Sequence, residues 1–260
     1  KAWGFTNAIQ FGGLAMYLGI AAWCWALFTS QRWYWTALMW LCGACGVMAS
    51  LLSETRGAWV VAPLLLLCVL IVLCRQGRVR WAVSAVVAAV VMVMAAVVPF
   101  AEKFESRAVQ AVHEFERYAE NPQQAAVTSV GQRLEQWRVA ALMIREQPIA
   151  GWGVDGLIEK KQALVEQGRA HASIMEYGHA HNEILDMWAK RGLLGLVLLL
   201  LFYAVPLAIF WPTRARIARL VQACRSQMLA LRMAAALLPI AYFGFGWTQV
   251  FFAHNSGNMF

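Results

Sequence analysis

The sequence predicts an all-α integral membrane protein: a polytopic bundle of transmembrane helices that carries a helical domain outside the bilayer. Three observations predict it. Of the 260 residues, 61% are hydrophobic and 14% charged, a balance too apolar for a water-soluble domain. Apolar runs of about 17 to 25 residues, enough to cross roughly 30 Å of hydrocarbon as helix, recur along the chain. The basic residues outside one long polar segment gather in alternate short loops.

The runs place spans at residues 8–29, 33–52, 58–74, 81–100, 193–211 and 228–252. Residues 1–100 then hold about four spans, 101–181 form a helical loop domain, and 182–260 hold about two more. Arg32 lies in one short loop, Arg75, Arg78 and Arg80 in another, and Arg214, Arg216, Arg219 and Arg225 in a third, with no acidic residue in any. The positive-inside rule assigns these loops to the cytoplasm. The segment 101–181 faces outward, as does the tight Glu54-Thr55-Arg56-Gly57 turn. That segment carries 9 Lys/Arg and 11 Asp/Glu, the balance of a solvated domain. The chain's net charge of +8 is therefore a signal of membrane orientation, and nucleic acid is not an expected partner.

Within the outer segment, Ala101–Glu120 reads as an amphipathic helix, with Phe104, Ala108, Ala111, Val112 and Phe115 at helical spacing. Asn121-Pro122 stops it. A second helix starts near Thr128-Ser129 and runs to Glu146, ahead of Pro148. Gly151-Trp152-Gly153-Val154-Asp155-Gly156 reads as a turn, followed by a short helix over 157–168. The last helix of this half runs from the His181-Asn182 pair to Trp211, about 45 Å at helical rise. It exceeds the hydrocarbon thickness, so its first turns, with Glu183, Asp186, Lys190 and Arg191, project from the bilayer or line a wet cavity.

All six cysteines fall within or beside spans, and no disulfide framework is implied. In Cys42-Gly43-Ala44-Cys45 the apolar setting favours small residues at a helix contact over redox or metal chemistry. The chain opens at Lys1 without an initiator Met and closes at Phe260 just past a span. The expectation is a longer membrane protein with further helices.

His181 carries the most chemistry. Its side chain titrates nearest neutrality, and it stands where the free N–H groups of a helix N-terminus make an anion site. Asn182 suits an N-cap, and Glu183 and Asp186 then complement the helix dipole. His179 could pair with His181 on a metal, yet no second His/Asp cluster accompanies them, and none is expected. Arg56, in an external turn where the orientation rule disfavours a cation, suggests an anionic partner; an ion pair with Glu54 or an interfacial anchor is the plainer reading. Arg133 and Arg138 stand about 140° apart on one helix and need not serve one contact. Lys190 and Arg191 suit lipid headgroups or a phosphorylated acceptor. No phosphate loop and no Asp-x-Asp metal motif occurs, so ATP is not the expected energy source and no cofactor is expected. A histidine and several arginines at a membrane surface point to transfer from an activated, anionic, lipid-borne donor.

On these residues the chain resembles the O-antigen ligase/polymerase superfamily of bacterial envelope glycosyltransferases. The carriers are His181-Asn182, nine residues, and Gly192-Leu193-Leu194-Gly195; Ser53-Glu54-Thr55-Arg56-Gly57; and Arg133-x-x-x-Trp137 leading through Pro148-Ile149-Ala150-Gly151-Trp152-Gly153. The resemblance implies a GT-C-like enzyme of the bacterial inner membrane, its site facing the periplasm. The donor it implies is O-antigen on undecaprenyl diphosphate, and the acceptor a lipid A-core sugar hydroxyl. Sister branches extend the O-antigen or glycosylate proteins on Ser or Thr; the motif form and loop size look most like the ligase.

The chemistry implied is a metal-independent, inverting displacement. His181 is the expected general base, Arg56, Arg133 and Arg138 hold the diphosphate, and His179, Asn182 and Arg191 support them. The non-enzymatic rival is a transporter for lipid-linked glycan, which should place charges in mid-span. This chain has almost none there, Arg232 being the exception. A structural assembly subunit leaves the external His and Arg set unexplained.

Overall fold

The computed structural model describes residues 7–29, 32–54, 56–87 and 101–253. Among these every regular element is a helix. The long ones are α1 (Ala8–Phe28), α2 (Trp33–Leu52), α3 (Arg56–Arg75), α4 (Ala101–Glu120), α5 (Ser129–Glu146), α6 (Gly153–Glu166), α7 (Glu183–Phe210) and α8 (Arg225–Phe245). Five described helices are long and apolar enough to cross a membrane: Ala8–Phe28, Trp33–Leu52, Gly57–Arg75, Glu183–Phe210 and Gln222–Phe245. The protein is an all-α polytopic membrane protein. Of the expected span 81–100, residues 81–87 are helical and the rest lies outside the described residues.

The chain divides into two compact units, Lys1–Ala96 with Phe202–Phe245, and Val97–Leu201 with Gly246–Phe260. In the first, α1 packs on α2, α3 and α8. Asn7 caps α1, its side chain accepting from the Gln10 N–H at 3.0 Å. The α1–α2 crossing is set by absent side chains. A Cβ on Gly46 would stand 2.6 Å from the Ala15 carbonyl oxygen, and one on Gly19 2.8 Å from that of Gly43. Close backbone approach of this kind is how helices associate where hydrophobicity gives no drive. Small residues thus make the contact in Cys42-Gly43-Ala44-Cys45, but through the glycine; both cysteines are exposed.

The loop arginines read as orientation signals also close helix ends. Arg78 donates to the Leu27 and Phe28 carbonyls at 2.9 and 3.3 Å, at the end of α1. Arg214 reaches the Arg75 carbonyl at the end of α3 at 3.3 Å, and Arg216 donates to the Ala208 and Trp211 carbonyls at the end of α7. Each guanidinium satisfies carbonyls that a helix C-terminus leaves without partners, and opposes its negative dipole end.

In the second unit α5 is framed as expected. The Thr128 side chain accepts from the Gly131 N–H at 3.1 Å, and the helix stops two residues before Pro148. The face of α4 that meets it is polar. Glu114 accepts from the Val130 N–H at 3.0 Å, and the Tyr118 hydroxyl donates to Glu135 at 2.5 Å. Val112 and Phe115, on the apolar stripe of the expected amphipathic helix, are each 56% exposed. Val139, Met143 and Ile144 of α5, Leu157 and Leu164 of α6, Ile174 and Ala189 form the unit's core.

Three boundaries differ from the sequence reading. α6 begins at Gly153 rather than near residue 157, because Asp155 sits in its first turn, where a carboxylate suits the dipole. The helix expected to run unbroken to Trp211 is interrupted at Gly192, whose φ of 64° and ψ of −163° are not helical. The last span ends at Phe245 rather than continuing to residue 252. Residues 246–253 leave the helix because their backbone and side chains pair with the start of α7, as described next.

Candidate active site

The start of α7 is held by side chains that return to the backbone. Asn182, 5% exposed, accepts from the Ile184 and Leu185 N–H groups at 3.1 Å each, as expected of an N-cap. Its amide nitrogen donates to the Trp247 carbonyl at 3.3 Å. The Glu183 N–H donates to the Gly246 carbonyl at 2.7 Å, and its carboxylate accepts from the Phe252 N–H at 3.2 Å. Asp186 accepts from the Ala180 N–H at 2.9 Å and from the Lys190 ammonium at 2.7 Å. Glu183 and Asp186 are only 2% and 4% exposed, so each does more than complement a dipole: each fixes a separate piece of chain.

Between these anchors His181 has a φ of 53°, in the left-handed region that is costly for a side chain with a Cβ. The conformation persists because Ala180 before it and Asn182 after it are both pinned. It turns the ring onto a small aromatic cluster. His179 stands edge to face at 4.4 Å between centroids and Tyr177 at 4.5 Å. The His181 N–H donates to His179 Nδ1 at 3.3 Å, and His181 Nδ1 lies 3.1 Å from Gln249 Oε1. Gln249 is itself buried.

The loop carrying Tyr177 and His179 is tied to α5 and α6 by a buried lysine. Lys161, 3% exposed, donates to Gln136 Oε1 at 2.7 Å and to the Tyr177 carbonyl at 3.0 Å. Gln136 in turn donates to the Ile174 carbonyl at 2.9 Å. Burial pushes the Lys161 ammonium down to about 8, Asp186 pulling it partly back.

Arg138 is committed to the fold. It grips the buried Glu135 through Nε at 2.8 Å and a terminal nitrogen at 2.7 Å, and that nitrogen also donates to the Arg169 carbonyl at 2.6 Å. Glu135 further accepts from Tyr118 and from the His171 N–H at 3.1 Å. Burial alone would raise the Glu135 carboxyl, but the hydrogen bonds from Arg138, Tyr118 and His171 outweigh it and hold it below its ordinary value. Arg133 is partly buried on α5, and Arg191 is exposed at the break of α7. Arg56 is the first residue of α3, in the first unit; its side chain lies outside the described residues.

The break explains why two of the sequence motifs occur together. Trp152 N–H donates to the Ala189 carbonyl at 2.9 Å, and Leu193 N–H to the Ile149 carbonyl at 3.1 Å. The Trp188 indole donates to the Pro148 carbonyl at 2.9 Å. Residues 148–152 therefore supply the partners that α7 loses where it opens at Gly192. The second glycine, Gly195, makes room for Arg191, whose Cβ would lie 2.3 Å from a Cβ there.

His179, His181 and Asn182 are thus brought into one cluster, whereas Arg138 is drawn into the Glu135 pair. Sequence reasoning missed Lys161 and Gln249. Lys161 could have been found as a charge on the apolar face between Leu157 and Leu164, and Gln249 as a polar side chain inside an expected span.

Comparison with known proteins supplies the family context. A family model described as O-antigen ligase matches residues 38–200. An uncharacterized protein of Haemophilus influenzae is 29% identical over 216 residues, covering 82% of this chain and 51% of that protein. The O-antigen ligase of Escherichia coli K12 is 23% identical over 191 residues, covering 72% of this chain and 44% of that enzyme. The chain spans about half the length of these curated relatives.

Proposed function

Because the chain belongs to the O-antigen ligase family, we propose that it is part of a bacterial inner-membrane glycosyltransferase whose site faces the periplasm. The reaction is transfer of O-antigen from undecaprenyl diphosphate to a sugar hydroxyl of lipid A-core. The observation that carries this reading is the constrained imidazole of His181, held in a left-handed turn at the head of a membrane helix within the family-matching region.

In the proposed step the acceptor oxygen attacks the anomeric carbon, the bond from that carbon to the diphosphate oxygen breaks, and the hydroxyl proton passes to the His181 imidazole. Undecaprenyl diphosphate leaves, and one displacement inverts the anomeric centre. Arg56 and Arg133 are assigned to the diphosphate, because guanidinium forks match phosphate oxygens and neutralise the leaving group. Arg138 acts through the fold, securing Glu135 and the Arg169–His171 backbone. His179 and Asn182 position His181, and Arg191, exposed at the break, is assigned to a lipid headgroup or the acceptor.

The test is transfer by purified full-length protein given undecaprenyl-diphosphate-linked glycan and lipid A-core. Positioned proton transfer contributes about 10² to 10⁴ in rate, so His181→Ala should lose most turnover while still binding donor. Near-normal turnover by that variant would reject the catalytic role. Extension of the glycan itself, or transfer to a protein hydroxyl when each is offered instead, would assign the chain to a sister branch.

A further inference from the structure

We propose that Gln249 is the residue that sets the tautomer of His181, placing its proton on Nδ1 and leaving Nε2 as the basic nitrogen. The inference rests on His181 being the base, and it names which ring nitrogen does the work and what holds it ready.

The argument begins with atom types. The atom 3.1 Å from His181 Nδ1 is the amide oxygen of Gln249, which can only accept. A hydrogen bond there requires the N–H on Nδ1, and a neutral imidazole then has its lone pair on Nε2. Gln249 is 4% exposed, so water does not compete for that oxygen. Its own position is secured on both flanks. The Gly246 and Trp247 carbonyls accept from the Glu183 N–H and the Asn182 amide, and the Phe252 N–H donates to Glu183. The ring cannot swing freely either, because Tyr177 and His179 stand edge to face against it.

The choice of an amide rather than a carboxylate has a chemical consequence. A carboxylate at Nδ1 would orient the ring equally well, but it would also stabilise the imidazolium and raise the pKa of the base. The nearby carboxylates are employed elsewhere: Glu183 on the Phe252 N–H, Asp186 on the Ala180 N–H and the Lys190 ammonium. From α6, Lys161 points its ammonium at the Tyr177 carbonyl. Residues 246–253 contain no ionisable side chain. A neutral acceptor therefore orients His181 without adding a negative charge that would favour the imidazolium.

The experiment uses full-length protein with ¹⁵N-labelled histidine, whose ring nitrogen shifts distinguish the two neutral tautomers, together with turnover on lipid-linked donor and acceptor across pH. The wild type should show His181 protonated on Nδ1. Gln249→Met should yield a mixture of tautomers and lower kcat about tenfold or more, with KM for either substrate little changed. Gln249→Glu keeps an acceptor in place, so it should retain the Nδ1–H tautomer while moving the acid limb of the pH profile upward by about one unit. Protonation on Nε2 in the wild type, or an unchanged tautomer and kcat in Gln249→Met, would overturn the proposal. If Gln249→Met does not fold, the Gln249→Glu profile decides alone, and an unmoved acid limb counts against the proposal. Failure of the base reading looks different: His181→Ala would keep its turnover, while in proteins that retain His181 the tautomer would still depend on Gln249.

Discussion

Gly151 and Gly192 meet backbone to backbone. A Cβ on Gly151 would stand 2.4 Å from the Gly192 nitrogen, and one on Gly192 would stand 1.9 Å from the Ile149 carbonyl oxygen. Both glycines have positive φ, 69° and 64°. Two motifs separated by some forty residues of sequence are thus halves of one joint, and neither half tolerates a side chain.

Gly151→Ala and Gly192→Ala should each destabilise the second unit by more than Gly168→Ala. Gly168 has the same left-handed φ but nothing within 4 Å of its missing Cβ, so that variant meets only the backbone term of about 1–2 kcal/mol. Thermal unfolding of the three variants in one detergent ranks them. Equal losses would show that conformation rather than contact dictates these glycines.

Arg138→Ala should act on stability first. It leaves Glu135 buried without its cation, a loss of about 1–3 kcal/mol even with Tyr118 and the His171 N–H retained. The measured signature is a lowered unfolding midpoint with donor KM close to normal in the folded fraction. A selective rise in donor KM at unchanged stability would return Arg138 to the diphosphate.

Glu135 makes the same cluster sensitive to acid. Its folded pKa lies below the unfolded value, so its contribution is complete above the unfolded carboxylate range and is lost as pH falls through the folded value. Glu135→Gln should flatten that part of the acid unfolding curve, read by tryptophan fluorescence.

Lys161 predicts the opposite end of the pH scale. Its folded value of about 8 lies below the ordinary lysine value of 10.5, so between these values the unfolded chain holds the extra proton and stability rises with pH. Relative to Lys161→Met, the wild-type protein should gain stability between about pH 8 and 10.5. A parallel pair of curves would show that Lys161 is not desolvated in the fold.

Arg56→Lys should impair transfer although it keeps the charge, because lysine lacks the two-pronged donor that phosphate oxygens accept. Turnover equal to wild type would remove the geometric part of the assignment.

How much of this was legible beforehand follows the range of each cause. α1, α2 and α3 lie close to their expected bounds because hydropathy is a property of consecutive residues. Thr128 and Pro148 frame α5 by equally local rules. The cap at Asn182 was readable for the same reason. The break at Gly192 was not, since a glycine within an apolar helix signals an opening only when Ile149 and Trp152 arrive to pair with the exposed backbone. α8 was extended through Val250 and Phe251 because their apolarity hides that the Glu183 carboxylate claims the Phe252 N–H. Gln249 and Lys161 were missed because their partners lie 68 and 25 residues away. Arg138 was assigned to the diphosphate because nothing in the sequence tells that Glu135, three residues before it, is buried against it.

The tie between His181 and Gln249 spans 68 residues of chain. During synthesis that interval contains the whole of α7 and the whole of α8, so the imidazole emerges well before its Gln249 partner. Until Gly246, Trp247 and Gln249 follow α8 out, the head of α7 lacks the carbonyls and the amide that complete it. The setting of the His181 ring is therefore completed late in the synthesis of this segment, and a chain arrested at Phe245 would hold both helices yet lack the partner of His181 Nδ1.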